Sequence, residues 1–220
     1  MPKIGVVLSG CGFYDGAEIQ EAVVTLLALD RAGTEVELMA PDIDQLHVVN
    51  HLTGNEMPGE TRNVLVESAR IVRGNIRNIA EVNADDLDAL IFPGGFGVAK
   101  NLSDYAMAGP ECEVNPYIHD MVVAVRRAEK PIGVICIAPA MMAKIMGSRG
   151  IKVNLTIGSD EKTGADIEVM GAKHVACDVR DIVIDKKHKV VSTPAYMEAK
   201  SISEAADGIE KLVAEVTKMI

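Results

Sequence analysis

GVICIAPA, residues 133–140, sets Cys136 where a short apolar run rich in β-branched residues gives way at once to helix-forming residues. Such a run reads as a strand buried on both faces, so the segment is a strand-to-helix elbow with a thiol at its tip. In an open parallel sheet the loops at the carboxyl ends of the strands form the ligand crevice. A nucleophile on such a turn projects into that crevice with its helix starting underneath. Backbone N–H groups at the helix start and the positive end of its dipole favour thiolate over thiol, and the thiolate is the reactive species. A free Cys in an apolar strand is more often a small buried hydrophobe, and Cys11, Cys112 and Cys177 are expected to include such residues.

Outward from the elbow, strand, loop and helix recur. Residues 3–8 read as an apolar strand, followed by the Gly-rich turn SGCGFYDGAE and a helix on which Ile19, Ala22, Val23, Leu26 and Leu27 form one apolar stripe, with Gly33 as its C-cap. Residues 36–39 are the next strand, ended by Pro41. The polar stretch 42–60, broken by Gly54, Pro58 and Gly59, reads as an irregular excursion over the active-site edge. Thr61 is expected to cap a helix over 62–70, and a helical turn at 84–87 precedes a strand over 89–92 that ends in PGGFG. Asn115 and Pro116 open a helix reaching about Ala128, and the elbow helix follows over 138–146. Residues 181–185 and 189–192 are two strands joined by Lys186-Lys187-His188, and 203–219 form a last amphipathic helix. With no repeat or linker in view, the reading is a single domain over 1–220. Its class is α/β, a mainly parallel sheet with helices on both faces.

Composition narrows the function. With 48% hydrophobic and 25% charged residues the chain can bury a large core, and only seven aromatic residues, none of them Trp, make that core aliphatic. A net charge of −10 without a basic stripe excludes a phosphate backbone as ligand, so no nucleic acid is expected. The longest uncharged apolar stretch, 131–143, is interrupted by Gly133 and Pro139 and is too short to span a bilayer. No secretory leader is visible at the start, and four cysteines without CxxC spacing or nearby His pairs suggest neither zinc nor a disulfide framework. The expectation is a cytoplasmic protein with reduced thiols and no membrane partner.

Thiolate addition to a carbonyl creates an oxyanion, which needs preorganised N–H donors. Candidates are Ile137, directly after the nucleophile, and the Gly94-Gly95 turn, where the backbone can approach a ligand closely. Neither Gly-rich loop has GxGxxG spacing, so a dinucleotide is not read here. Glu18 and Glu21 sit in the first turns of the first helix, where a desolvated carboxyl could exchange a proton with the thiolate. The helical wheel argues otherwise, because Glu21 lies well away from the centre of the apolar stripe and both glutamates then read as solvated. Among five histidines, His188 and His119 are expected at the surface, and His51, in the excursion, is the one with access to a site or to local hydrogen bonds.

The stretches GVVLSGCGFYDGAEIQEAV, VVNHLTG, ETRNVLVESARI, PGGFGVAKNLSDYA, ICIAPAM, LTIGSD and STPAYM cover essentially the whole chain. They resemble the ElbB-type isoprenoid-biosynthesis proteins with an amidotransferase-like domain. These sit within the class I glutamine amidotransferase-like superfamily, together with the PfpI-type peptidases and the parkinsonism-associated deglycase. The resemblance implies a flavodoxin-like three-layer sandwich, Cys136 at the elbow and a homodimer. GAEIQEAV followed by DRAG resembles the deglycase segment whose carboxylate contacts the reactive Cys, and the register lands on Glu21. ElbB relatives are described as glyoxalases that need no glutathione. Many superfamily members carry His directly after the Cys, where Ile137 stands here, which argues against glutaminase and peptidase activity and weakens a glyoxalase.

The function expected on these grounds is a slow glyoxalase-like conversion of a small carbonyl compound, glyoxal or methylglyoxal, to glycolate or lactate. Cys136 would form a hemithioacetal, Glu21 would shuttle the proton, and no metal or organic cofactor would be needed. The alternatives are a redox-sensing or metabolite-binding protein in which Cys136 reacts without turnover, or an accessory subunit of isoprenoid biosynthesis.

Overall fold

A computed structural model describes all 220 residues. The elements in chain order are β1 (Lys3–Val7), α1 (Ile19–Arg31), β2 (Glu35–Ala40), β3 (Val49–Asn50), β4 (Asn55–Glu56), α2 (Val64–Ile71), β5 (Arg77–Asn78), β6 (Ala89–Phe92), α3 (Tyr105–Ala108), α4 (Pro116–Arg127), β7 (Ile132–Ile135), α5 (Ala138–Gly147), β8 (Asn154–Leu155), α6 (Glu161–Val169), β9 (Lys173–His174), β10 (Val183–Asp185), β11 (Val190–Thr193) and α7 (Ile202–Lys218). Seven strands form one sheet in the order β10-β11-β7-β6-β1-β2-β5. Every pairing is parallel except that of β10 with β11. From β1 the chain runs first to β2 on one side and later to β6 on the other, so the strand order reverses between β1 and β6. In such sheets the crevice opens at that reversal, beyond the carboxyl ends.

Side chains alternate across each strand, and the sheet therefore feeds two apolar layers. Leu90, Phe92, Ile132 and Val134 face α4 and α5, through Ile118, Val122, Met142 and Ile145. Ile4, Val6, Ile91 and Val191 face α1 and α7, through Ala22, Leu29, Ile209, Leu212 and Val213. Helices on both faces of a mostly parallel sheet make the three-layer α/β sandwich expected from the sequence.

Several expectations are corrected. Asn63, not Thr61, caps α2, its side chain accepting the Val66 N–H at 3.0 Å, and the helix starts two residues later at Val64. The 42–60 excursion carries a small antiparallel ribbon, β3 with β4. His188 is buried, with Nδ1 3.0 Å from the Asp185 carboxylate. The largest correction is α1. Ile19, Val23 and Leu27 stand on its exposed side, at 43%, 47% and 43%, while Glu21, Ala22, Thr25 and Leu29 face the sheet. α7 packs against α1, and the Glu21 carboxylate takes a place on the buried side of the helix.

Substitutions on α1 separate the two faces. Leu29→Ala is expected to cost about 2–5 kcal/mol, and the exposed Asp30→Ala to stay within about 0.5 kcal/mol, in urea unfolding followed by circular dichroism.

Candidate active site

The loop after β1 and the loop after β6 are held together by backbone hydrogen bonds. The Glu18 N–H donates to Gly94 at 2.9 Å, the Phe96 N–H to Phe13 at 2.8 Å and the Gly97 N–H to Gly16 at 2.8 Å. Asn101 reinforces the seam, its side-chain amide donating to the carbonyls of Ser9 and Asp15 at 2.9 Å each. This zipper leaves no room for side chains. A Cβ on Gly95 (φ +97°) would strike the Ala17 and Glu18 backbone, and one on Gly97 would meet the Ser9 carbonyl. The first turn of α1 is thereby drawn over the carboxyl end of the sheet, with Glu18 as N-cap accepting the Glu21 N–H at 2.6 Å.

Cys136 follows β7 with φ +62°, a left-handed backbone that a non-Gly residue adopts at a cost of about 1–3 kcal/mol. Its N–H still donates to Thr193 at 3.0 Å, so the strand ladder runs up to the elbow and the turn comes after it. Cys136 is 7% exposed and lines a cavity of about 710 Å³, together with Gly95, Ile137, Glu18 and Tyr196.

Glu21 is fully buried and faces the Cys136 sulfur. Its Oε2 accepts the Gly94 N–H at 2.8 Å and its Oε1 the Tyr196 N–H at 3.1 Å. Burial pushes its carboxyl up to about 8, aided by the neighbouring Glu18 and opposed by those two N–H donors. Burial also pushes the Cys136 thiol well above its ordinary value, and a charged Glu21 adds to this, while the N–H groups of Gly95 and Ile137, turned toward the sulfur, pull it down. This corrects the expectation of a thiol held low by the helix start alone. Both groups are raised chiefly by burial, and a charge on Glu21 raises the thiol further. The pair therefore titrates as a unit.

The structure thus brings together Cys136, Glu21, Gly94, Gly95 and Ile137. It changes the role of one of them: the Gly94 N–H is taken by Glu21, so Gly94 holds the carboxylate and offers nothing to a substrate oxygen. A Cβ there would meet Glu21 Oε2 at 2.6 Å and collide with the Cys136 Cβ. Tyr196 was missed by sequence reasoning. Its N–H is aimed by Ala195, which takes φ +44° at the end of β11, and a backbone donor leaves no trace in residue identity. His51 is kept away from the sulfur: its Nδ1 lies 3.0 Å from the Val49 carbonyl, its Nε2 accepts the Tyr14 N–H at 3.3 Å, and it packs on Phe13 and Tyr14. It does not line the cavity. No group of three His, Cys, Asp or Glu side chains is arranged to hold a metal ion, and no helix is long and apolar enough to cross a membrane.

The model of the DJ-1/PfpI family matches residues 11–195, from the first Gly-rich loop through the elbow to the Ala195 turn. The chain belongs to the DJ-1/PfpI family. It is 44% identical over 226 residues to the human mitochondrial glutamine amidotransferase-like class 1 domain-containing protein 3, covering 99% of this chain and 83% of that one. It is 31% identical to the mitochondrial ES1 protein of Danio rerio, over 99% of this chain and 86% of the relative. Among solved structures, the isoprenoid biosynthesis protein with amidotransferase-like domain from Ehrlichia chaffeensis superposes with a TM-score of 0.93 at 36% identity, covering 100% and 99% of the two chains. DJ-1beta of Drosophila melanogaster, at 19% identity, shares the fold with a TM-score of 0.55, over 99% of this chain and 95% of that one. These likenesses fix the class I glutamine amidotransferase-like fold of the DJ-1/PfpI family member.

Glu21 links folding to pH. Its folded value of about 8 lies above the ordinary 4.5, so its neutral form stabilises the fold fully at low pH and that contribution is lost as pH rises through about 8. Chemical denaturation across pH 5–9 should show the wild type losing stability relative to Glu21→Gln as pH rises. A constant difference would mean that Glu21 is ionised throughout.

Proposed function

We propose that this family member is a glutathione-independent glyoxalase-like enzyme that converts a 2-oxoaldehyde or glyoxal to the hydroxy acid. The observation that carries the reading is the fully buried Glu21 carboxyl set against the Cys136 sulfur on the floor of an open cavity. Once the pair has lost one proton, the Glu21 carboxylate takes the thiol proton as the sulfur attacks the aldehyde carbon, the C–S bond forms, and the carbonyl oxygen takes the electron pair. The N–H groups of Gly95 and Ile137 donate to that oxygen, and the proton held by Glu21 completes the hemithioacetal. Glu21 then removes the proton from the former aldehyde carbon and returns it to the adjacent carbon. The first carbon is oxidised to a thioester and the second reduced to an alcohol, and water cleaves the thioester to release the hydroxy acid and the thiol. The balance is one aldehyde plus one water to one hydroxy acid, with no external oxidant. Turnover is slow, because the imidazole missing after Cys136 forfeits on the order of 10²–10⁴-fold.

The homodimer is proposed as well, with the exposed row Ile19, Val23 and Leu27 on α1 as the apolar surface that a second copy would cover. The cytoplasm is the compartment we propose, since four unpaired cysteines fit a reducing environment; the vertebrate relatives are named mitochondrial.

Purified protein should form lactate from methylglyoxal, with kcat/KM rising as pH passes through about 8, where the pair acquires its single charge. Cys136→Ala should abolish the reaction, and a variant that kept the wild-type rate would refute the mechanism. Val23→Glu should shift the sedimentation coefficient from dimer to monomer with the fold intact by circular dichroism; unchanged sedimentation would remove α1 from the interface.

A further inference from the structure

The cavity is far larger than the chemistry on its floor requires. Its 710 Å³ amounts to some twenty water-sized volumes at about 30 Å³ each, and glyoxal, with four heavy atoms, would leave most of it wet. Pockets of about 300–1,000 Å³ are those that enclose drug-sized molecules.

The walls give the excess volume a chemical character. The chain has seven aromatic residues, and four of them, Phe13, Phe96, Tyr105 and Tyr196, line this one cavity. Of the other three only Phe92 is a fully buried core side chain, so most of the scarce rings line this cavity rather than the core. Phe13, Phe96 and Met107 are exposed large hydrophobics at the same cavity, apolar area that a ligand would remove from water at about 25 cal/mol per Å². The segment 105–110 plays no part in holding Glu21 or Cys136, yet it forms a wall of the space above them. Thioether side chains such as Met107 and Met197 adapt to varied apolar shapes. The polar groups on this side lie together: the Tyr105 hydroxyl donates to Asp166 at 2.7 Å, beside Thr163 and Lys162.

Resting on the reading of Cys136 as the nucleophile, we infer that the carbonyl compound this site takes carries a bulky apolar group, an aromatic ring or a long or branched hydrocarbon, in place of the hydrogen or methyl of glyoxal and methylglyoxal. The carbonyl lies at the Cys136 sulfur and the apolar body fills the space between Phe13, Phe96 and Met107. The covalent steps are those given above, with the bulky group on the carbon that becomes the alcohol.

Two measurements test this separately from the catalytic reading. In the first, Cys136 alkylation by iodoacetamide is followed by peptide mass spectrometry in the presence of acetophenone or acetone. Acetophenone should protect at a concentration about tenfold lower or less, and Phe96→Ala/Met107→Ser should erase that difference. Equal protection by the two ketones would overturn the inference. In the second, kcat/KM for phenylglyoxal should exceed that for methylglyoxal about tenfold or more. Preferential protection by acetophenone with no turnover of either aldehyde would overturn the glyoxalase reading and leave the size of the ligand standing. Turnover of methylglyoxal without preference, together with equal protection, would overturn the inference and leave the reading standing.

Discussion

A carboxyl with no solvent access, placed against a sulfur that borders an open cavity, is the interaction around which this molecule is organised. Burying one ionisable group without a counter-charge shifts its proton affinity strongly. Burying two acidic groups in contact forces them to share a single charge. No cation offsets them; the groups that do act are backbone N–H donors, two on the carboxylate from Gly94 and Tyr196 and two toward the sulfur from Gly95 and Ile137. Such donors are fixed in place before any substrate arrives, which is what makes them effective toward charge that develops during reaction.

The fold serves to bring those donors to one point. Three parallel strands, β1, β6 and β7, end side by side at the strand reversal, and a fourth, β11, ends next to β7. Each delivers one part: the loop and helix carrying Glu21, the Gly94-Gly95 turn, the Cys136 elbow and the Tyr196 turn. Positive φ at Cys136 and Ala195 stores local strain that the sheet and the zipped loops over-determine. Gly94 has no space for a side chain because the carboxyl and the sulfur already occupy it.

Much of this was legible in the residues, for identifiable reasons. The elbow announces itself because a buried parallel strand must be continuously apolar and its helix must begin at once, so GVICIAPA admits few other readings. The strand-helix alternation and the capping residue Asn115 mark the elements well. The helical wheel of α1 failed, since it assumes that the apolar stripe is the buried one. Here a carboxylate with two N–H donors is buried, and Ile19, Val23 and Leu27 are left outside. Only the resemblance of GAEIQEAV to a related segment located Glu21. The Tyr196 contact and the pull of Gly94 onto the carboxylate were beyond reach, because both act through backbone N–H groups that every non-proline residue possesses. The exposure of His51 to a site was open in the sequence and was closed by its two local hydrogen bonds.

The cavity above the pair gives the chemistry its setting, with aromatic walls, a reachable sulfur and one mobile proton. Everything in the account requires that Glu21 be a neutral acid when the site is at rest. Infrared difference spectroscopy between wild type and Glu21→Gln, with carboxyls isotopically labelled, reads that proton directly through the C=O stretch of a protonated acid. The account predicts that this band is present at neutral pH and disappears as pH rises through about 8; a carboxylate signature for Glu21 already at pH 6 would contradict it.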